Sequence, residues 1–96
     1  MLIDTQSEVA LGRDMDSQIQ RKLRILRDPK KQERLNNIGI KVSGFSDRQD
    51  LAYYFRIIDD KDFNAFAIPG GYIYVNSGLM DAATDDELAC VLSHEI

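Results

Sequence analysis

The chain has 96 residues and a formal net charge of −4, which allows one domain or less, because a chain of that size hides only about 60–65% of its unfolded surface in one core. Its 44% apolar and 29% charged residues, with two prolines, exclude a disordered chain, and its single cysteine, Cys90, excludes an internal disulfide framework. No apolar run approaches the roughly 18 residues that cross a bilayer, and Met1-Leu2-Ile3-Asp4 has no basic start, so neither a signal peptide nor a membrane anchor is expected.

From Glu8 to Leu26 the apolar residues Leu11, Met15, Ile19, Leu23 and Leu26 recur at helical spacing and predict one amphipathic helix, which Gly12 weakens slightly. Asp28-Pro29 starts a second: the Asp side chain accepts from orphan amides and proline presets φ at the first helical position. Its stripe is Leu35, Ile38 and Val42, and Gly44 in a left-handed conformation is expected to close it. The two stripes predict a helical hairpin. Ten of the twelve Lys and Arg residues lie between Arg13 and Arg48, and nine of the sixteen acids lie at or after Asp50. Seven of the basic residues fall within Arg21–Arg34. With no aromatic interleaved among them to stack on bases, they read as a solvated helix face.

Ala52–Ile58 is rich in aromatic and β-branched residues and predicts a strand. Asp59–Asp62 is turn material, and Phe63–Ile68 predicts a second strand, with Phe63 and Phe66 expected in the core. Pro69-Gly70-Gly71 then breaks the chain before Tyr72–Val75, a third strand whose tyrosines share a face. Thr84-Asp85-Asp86-Glu87 matches a capping box and opens a last helix with three acids at its positive end. On that helix Leu88, Val91 and Leu92 share a sector with Glu95, His94 lies on its flank, and Cys90 is expected to be a small buried residue.

His94, the only histidine, is followed by Glu95 and Ile96. The dipeptide alone is uninformative, but the order Asn64-Ala-Phe-Ala, Pro69-Gly-Gly, Asp86-Glu-Leu-Ala and Ser93-His-Glu-Ile closely resembles the approach to the active site of M48-family zinc metallopeptidases. The likeness runs from Glu8-Val-Ala-Leu-Gly-Arg through Leu35-Asn-Asn-Ile-Gly and Tyr54-Phe-Arg-Ile-Ile-Asp-Asp over nearly the whole chain. It implies an α+β fold made of an N-terminal helical hairpin, a small antiparallel sheet and the start of a zincin active-site helix. Residues 1–96 would then be the incomplete N-terminal part of one such domain.

In that family the helix continues as His-Glu-x-x-His, where residues one turn apart grip one zinc ion from the same face. The resemblance makes His94 a metal ligand and Glu95 the catalytic base toward metal-bound water, with a glutamate on a later helix as third ligand. It makes Asn64, Ala65 and Phe66 the edge strand to which an extended peptide substrate adds. The second histidine would fall two positions after Ile96. The chain as given is therefore expected to bind no zinc tightly and to be inactive, while an intact parent would be a zinc endopeptidase acting on peptides or proteins. No nucleic acid partner and no membrane segment are expected. Self-association is the expected way to hide apolar surface left uncovered, and the resemblance implies a periplasmic or membrane-associated parent. The alternative reading is a non-catalytic binding module that uses the basic hairpin 13–48.

Overall fold

The computed structural model describes residues 3–96, so the reading of Met1 and Leu2 as neither leader nor anchor lies outside the described residues. In chain order the elements are α1 (Thr5–Lys22), α2 (Pro29–Ser43), β1 (Tyr54–Ile58), β2 (Ala65–Ile68), β3 (Tyr72–Asn76), α3 (Ser77–Ala82) and α4 (Asp85–Glu95). The fold is α+β. Its sheet has the order β1-β3-β2 and is mixed, which corrects the antiparallel expectation: β1 runs parallel to β3, with Tyr54 opposite Tyr72, while β2 and β3 form the antiparallel hairpin, with Phe66 opposite Tyr74.

Alternation along these strands creates two buried faces, since successive side chains point to opposite sides. Phe55, Ile57, Ile73 and Val75 form the main core with Leu35 of α2 and Leu88 and Leu92 of α4. On the other face Tyr72, Tyr74 and Ile58 pack with Ile19 of α1 and with Ile25, Phe66 and Ile68. β3 is buried along its whole length, as a central strand covered on both sides must be.

The predicted helical hairpin is therefore corrected. α1 and α2 cover opposite faces of the sheet and do not pack stripe to stripe, because a sheet apolar on both sides offers each stripe a larger surface than the other helix does. Leu23 and Leu26 are also not helical. Past Lys22 the chain is extended, with Ile25 bridged to Ile58, and the Leu26 amide donates to the Ile57 carbonyl at 2.8 Å.

The start of α2 follows its sequence signal, since Asp28 accepts from the Lys30 and Lys31 amides. The helix also ends where expected, at Ser43 with Gly44 as the C-cap, but Gly44 has φ −62° and is right-handed, which corrects the left-handed expectation. Gly70 and Gly71, at φ 92° and 89°, do adopt the conformation that favours glycine in the hairpin turn. Gly12 has a packing reason: a Cβ there would lie 2.0 Å from the Pro69 carbonyl oxygen, so α1 reaches the turn only without a side chain.

Two other expectations fail on exposure. Phe63 precedes β2 and is 72% exposed. Cys90 is exposed because, two residues from both Leu88 and Leu92, it points away from the face they bury. Phe66 is half-buried and stacks on Tyr74 with ring centroids 4.8 Å apart. Among the described residues, no helix is long and apolar enough to cross a membrane.

Candidate active site

Helix α4 presents His94 and Glu95 on its last turn. The helix is fixed at its start by the capping box, where the Glu87 amide donates to Thr84 Oγ1 at 3.1 Å and Glu87 Oε1 accepts from the Thr84 amide at 2.9 Å. Arg34 on α2 holds the preceding corner. Its Nε donates to Asp85 Oδ1 at 2.7 Å, and its two terminal nitrogens donate to the Met80 and Ala83 carbonyls. The basic run thus divides: Arg21, Lys22, Arg24, Arg27 and Lys30 are exposed as expected, whereas Arg34 is half-buried and Lys31 pairs with Asp81 at 2.9 Å.

Leu88 and Leu92 are fully buried, and one turn later this same stripe turns Glu95 inward. Glu95 is half-buried and lines a cavity of about 160 Å³ together with Ala67, Ile68, Ile73, Glu8 and Arg48. Glu95 and the β2 residues Ala67 and Ile68 therefore border the same space. His94 is exposed, and its Nδ1 lies 2.9 Å from the Cys90 carbonyl oxygen. If Nδ1 carries the proton it donates to that carbonyl, and Nε2 is then the ring nitrogen with the free lone pair.

Asn64 stands just before β2, but its carbonyl accepts from the Asn76 amide at 2.9 Å, which continues the pairing one residue beyond the strand. Ala65 is half-buried and packs against the main core. Ala65 and Phe66 lie on β2, an outermost strand of the sheet, and Asn64 directly precedes it.

Among the described residues there is no group of three histidine, cysteine or acidic side chains placed to hold a metal ion. One imidazole fits as one ligand and makes no zinc site by itself, since tight binding needs several donors.

Sequence reasoning missed two ionic groups that fix the sheet. Buried Asp16 accepts from Arg56 Nε at 2.7 Å and Nη2 at 2.9 Å, from Gln20 at 2.7 Å, and from the Tyr74 hydroxyl. Burial pushes the Asp16 carboxyl up, but hydrogen bonds from Arg56, Tyr74 and Gln20 outweigh this and hold it below its ordinary value. The Tyr74 hydroxyl is pushed up, first by burial and then by its bond to Asp16. The signal was legible in the sequence: Asp16 falls on the stripe that includes Gly12 and Ile19, and Arg56 interrupts an apolar strand.

The second group borders the cavity beside Glu95. Arg48 donates to Glu8 Oε1 at 2.8 Å and to Asp50, and the Gly70 amide donates to Glu8 Oε2 at 3.1 Å. The Arg48 and Gly70 bonds hold the Glu8 carboxyl low. No spacing rule links these three positions, which the turn and the loop before β1 bring together.

The profile of peptidase family M48 matches residues 29–96. Metalloprotease LoiP of Escherichia coli (strain K12) is 48% identical over 61 residues, 64% of this chain and 22% of that protein. A mitochondrial metalloendopeptidase OMA1 of Schizosaccharomyces pombe is 42% identical over 57 residues, 58% of this chain and 16% of the relative. Similarity extends to the beta-barrel assembly-enhancing protease of Escherichia coli (strain K12), 25% identical over 97 aligned positions that take in 94% of this chain and 20% of that protein. The chain spans about a fifth of the length of such relatives. The matched region contains the edge strand, the glycine turn and the His94-Glu95 helix turn, and the chain belongs to peptidase family M48.

Proposed function

We propose that residues 1–96 are the N-terminal part of a zinc-dependent endopeptidase domain, with His94 as one metal ligand, Glu95 as general base and Asn64–Phe66 as the strand that receives substrate. The observation that carries this reading is that Glu95, inside the family match, lines a cavity whose wall includes β2. A substrate main chain added along the open edge of β2 would run beside α4, and main-chain pairing tolerates many side chains. Glu95 would accept a proton from water whose pKa a metal has lowered. His94 supplies one donor; the others would come from the parent's further sequence, so the 96-residue chain alone is inert. The relatives named as a beta-barrel assembly-enhancing protease and as a mitochondrial metalloendopeptidase support protein substrates and a membrane-bounded compartment for the parent, periplasmic or membrane-associated in a bacterium.

The test is proteolysis by a longer parent protein carrying the native sequence beyond Ile96. Casein cleavage is expected, together with its loss in Glu95→Gln at unchanged metal content. A metal-free, inactive parent would overturn the assignment. Sedimentation of the 96-residue chain tests self-association: a mass that rises with concentration is expected, and a monomer throughout contradicts it.

A further inference from the structure

We infer that the open half of the outer edge of β1 is a strand-addition site for an acidic, extended peptide, an interaction independent of the protease reading. β1 is an outermost strand. Only its C-terminal half is covered: the Leu26 amide donates to Ile57, the Asp59 amide donates to Arg24, and Ile25 bridges Ile58. At Arg27 the covering segment leaves the strand for Asp28-Pro29 and α2. The line it follows continues as a groove of about 590 Å³ past Phe55, Tyr54 and Tyr53, within the range of ligand clefts.

The groove already shows what it takes. Gln32 Nε2 donates to the Phe55 carbonyl at 2.8 Å, so a side-chain carboxamide stands where the amide of an added strand would stand. An added strand would displace this flexible carboxamide and put its own amide on the Phe55 carbonyl. The side walls are apolar at Leu26, Ile40 and Tyr54, and Ile40 is 64% exposed.

Charge selects the occupant. Of the charged side chains in the wall, Arg56 is committed to Asp16 and Asp28 to the cap of α2. Arg27 has no ion-pair partner among the described residues, and neighbouring Arg24 makes only a loose 3.6 Å contact with Asp59. Exposed Arg21, Lys22 and Lys30 flank the lining residues in the chain. Of the basic stretch, Arg27 thus puts an unpaired cation into the groove wall. Alternating acidic and apolar residues match it, the acids toward Arg27 and the apolar side chains toward Ile40 and Leu26.

The experiment titrates the 96-residue chain at low salt with a fluorescent decapeptide alternating valine and glutamate. Saturable binding is expected, with amide shift changes concentrated at Ile25–Arg27 and Tyr53–Arg56. Arg27→Glu, and separately N-methylation of alternate peptide amides, should each weaken it about tenfold. Arg27 is exposed, so the variant keeps the fold; unchanged thermal unfolding verifies this. The proposal is overturned by no binding at about 1 mM peptide, by equal affinity of the N-methylated peptide, or by shift changes confined to β2. It is equally overturned if oligo-deoxythymidine or phosphatidylglycerol vesicles bind this face more tightly than the peptide.

Discussion

The back face of the sheet and the end of α4 treat their polar groups in opposite ways. Behind the sheet, Asp16 is 5% exposed and its carboxylate is satisfied by Arg56, Gln20 and Tyr74 from three different elements. At the end of α4, His94 is exposed with one contact, to its own helix, and Glu95 faces a cavity. Buried charge that is fully paired ties elements together, and removing one partner is costly. Groups left free to meet a metal, water or substrate contribute little to folding. The difference separates the residues that hold the fold from those that carry its proposed chemistry.

Breaking the back face should have the largest effect. Asp16→Ala leaves half-buried Arg56 and the Tyr74 hydroxyl without their shared acceptor and should destabilise by about 2–3 kcal/mol, measured by urea denaturation. A loss below about 1 kcal/mol would show that the ion pair contributes little. Acid acts on the same group. Folding depresses the carboxyls of Asp16 and Glu8 below their ordinary values of 3.8 and 4.5, so their stabilisation is complete above those values and is lost as pH falls through the lower folded ones. The unfolding midpoint should therefore be flat from about pH 7 to 5.5 and fall below about pH 4, with a shallower fall in Asp16→Asn. An identical acid limb in that variant would show that Asp16 contributes nothing to the acid dependence.

The cap of α4 lies between the two extremes. Thr84→Ala should cost about 1 kcal/mol in the same denaturation assay, and no change would mean that packing of Leu88 and Leu92 alone fixes the helix start. At the far end of α4, His94→Ala should change stability by less than about 0.5 kcal/mol, as exposed substitutions do. A loss above 2 kcal/mol would make His94 structural and erase the contrast.

Much of this was legible in the sequence where a signal is local. Asp28-Pro29, the glycine turn and the Thr84–Glu87 box each act within four residues, and each appears in the structure. The periodicity that joined Leu23 and Leu26 to α1 was overridden by pairing with β1, a contact about 30 residues away in sequence. The sheet's mixed direction and the opposite placement of α1 and α2 depend on which strand is central, which strand composition does not encode. In the candidate site, the inward turn of Glu95 follows from its spacing to Leu88 and Leu92. The Arg48–Glu8 pair and the open edge of β1 required the three-dimensional arrangement.

If, as proposed, the His94-Glu95 turn begins a metal-gripping helix, a longer parent protein should carry zinc that depends on His94. About one zinc per chain is expected in the unaltered protein, as one tetrahedral site requires, and near none in a folded His94→Ala variant. Equal zinc in both, or zinc in neither, would contradict it.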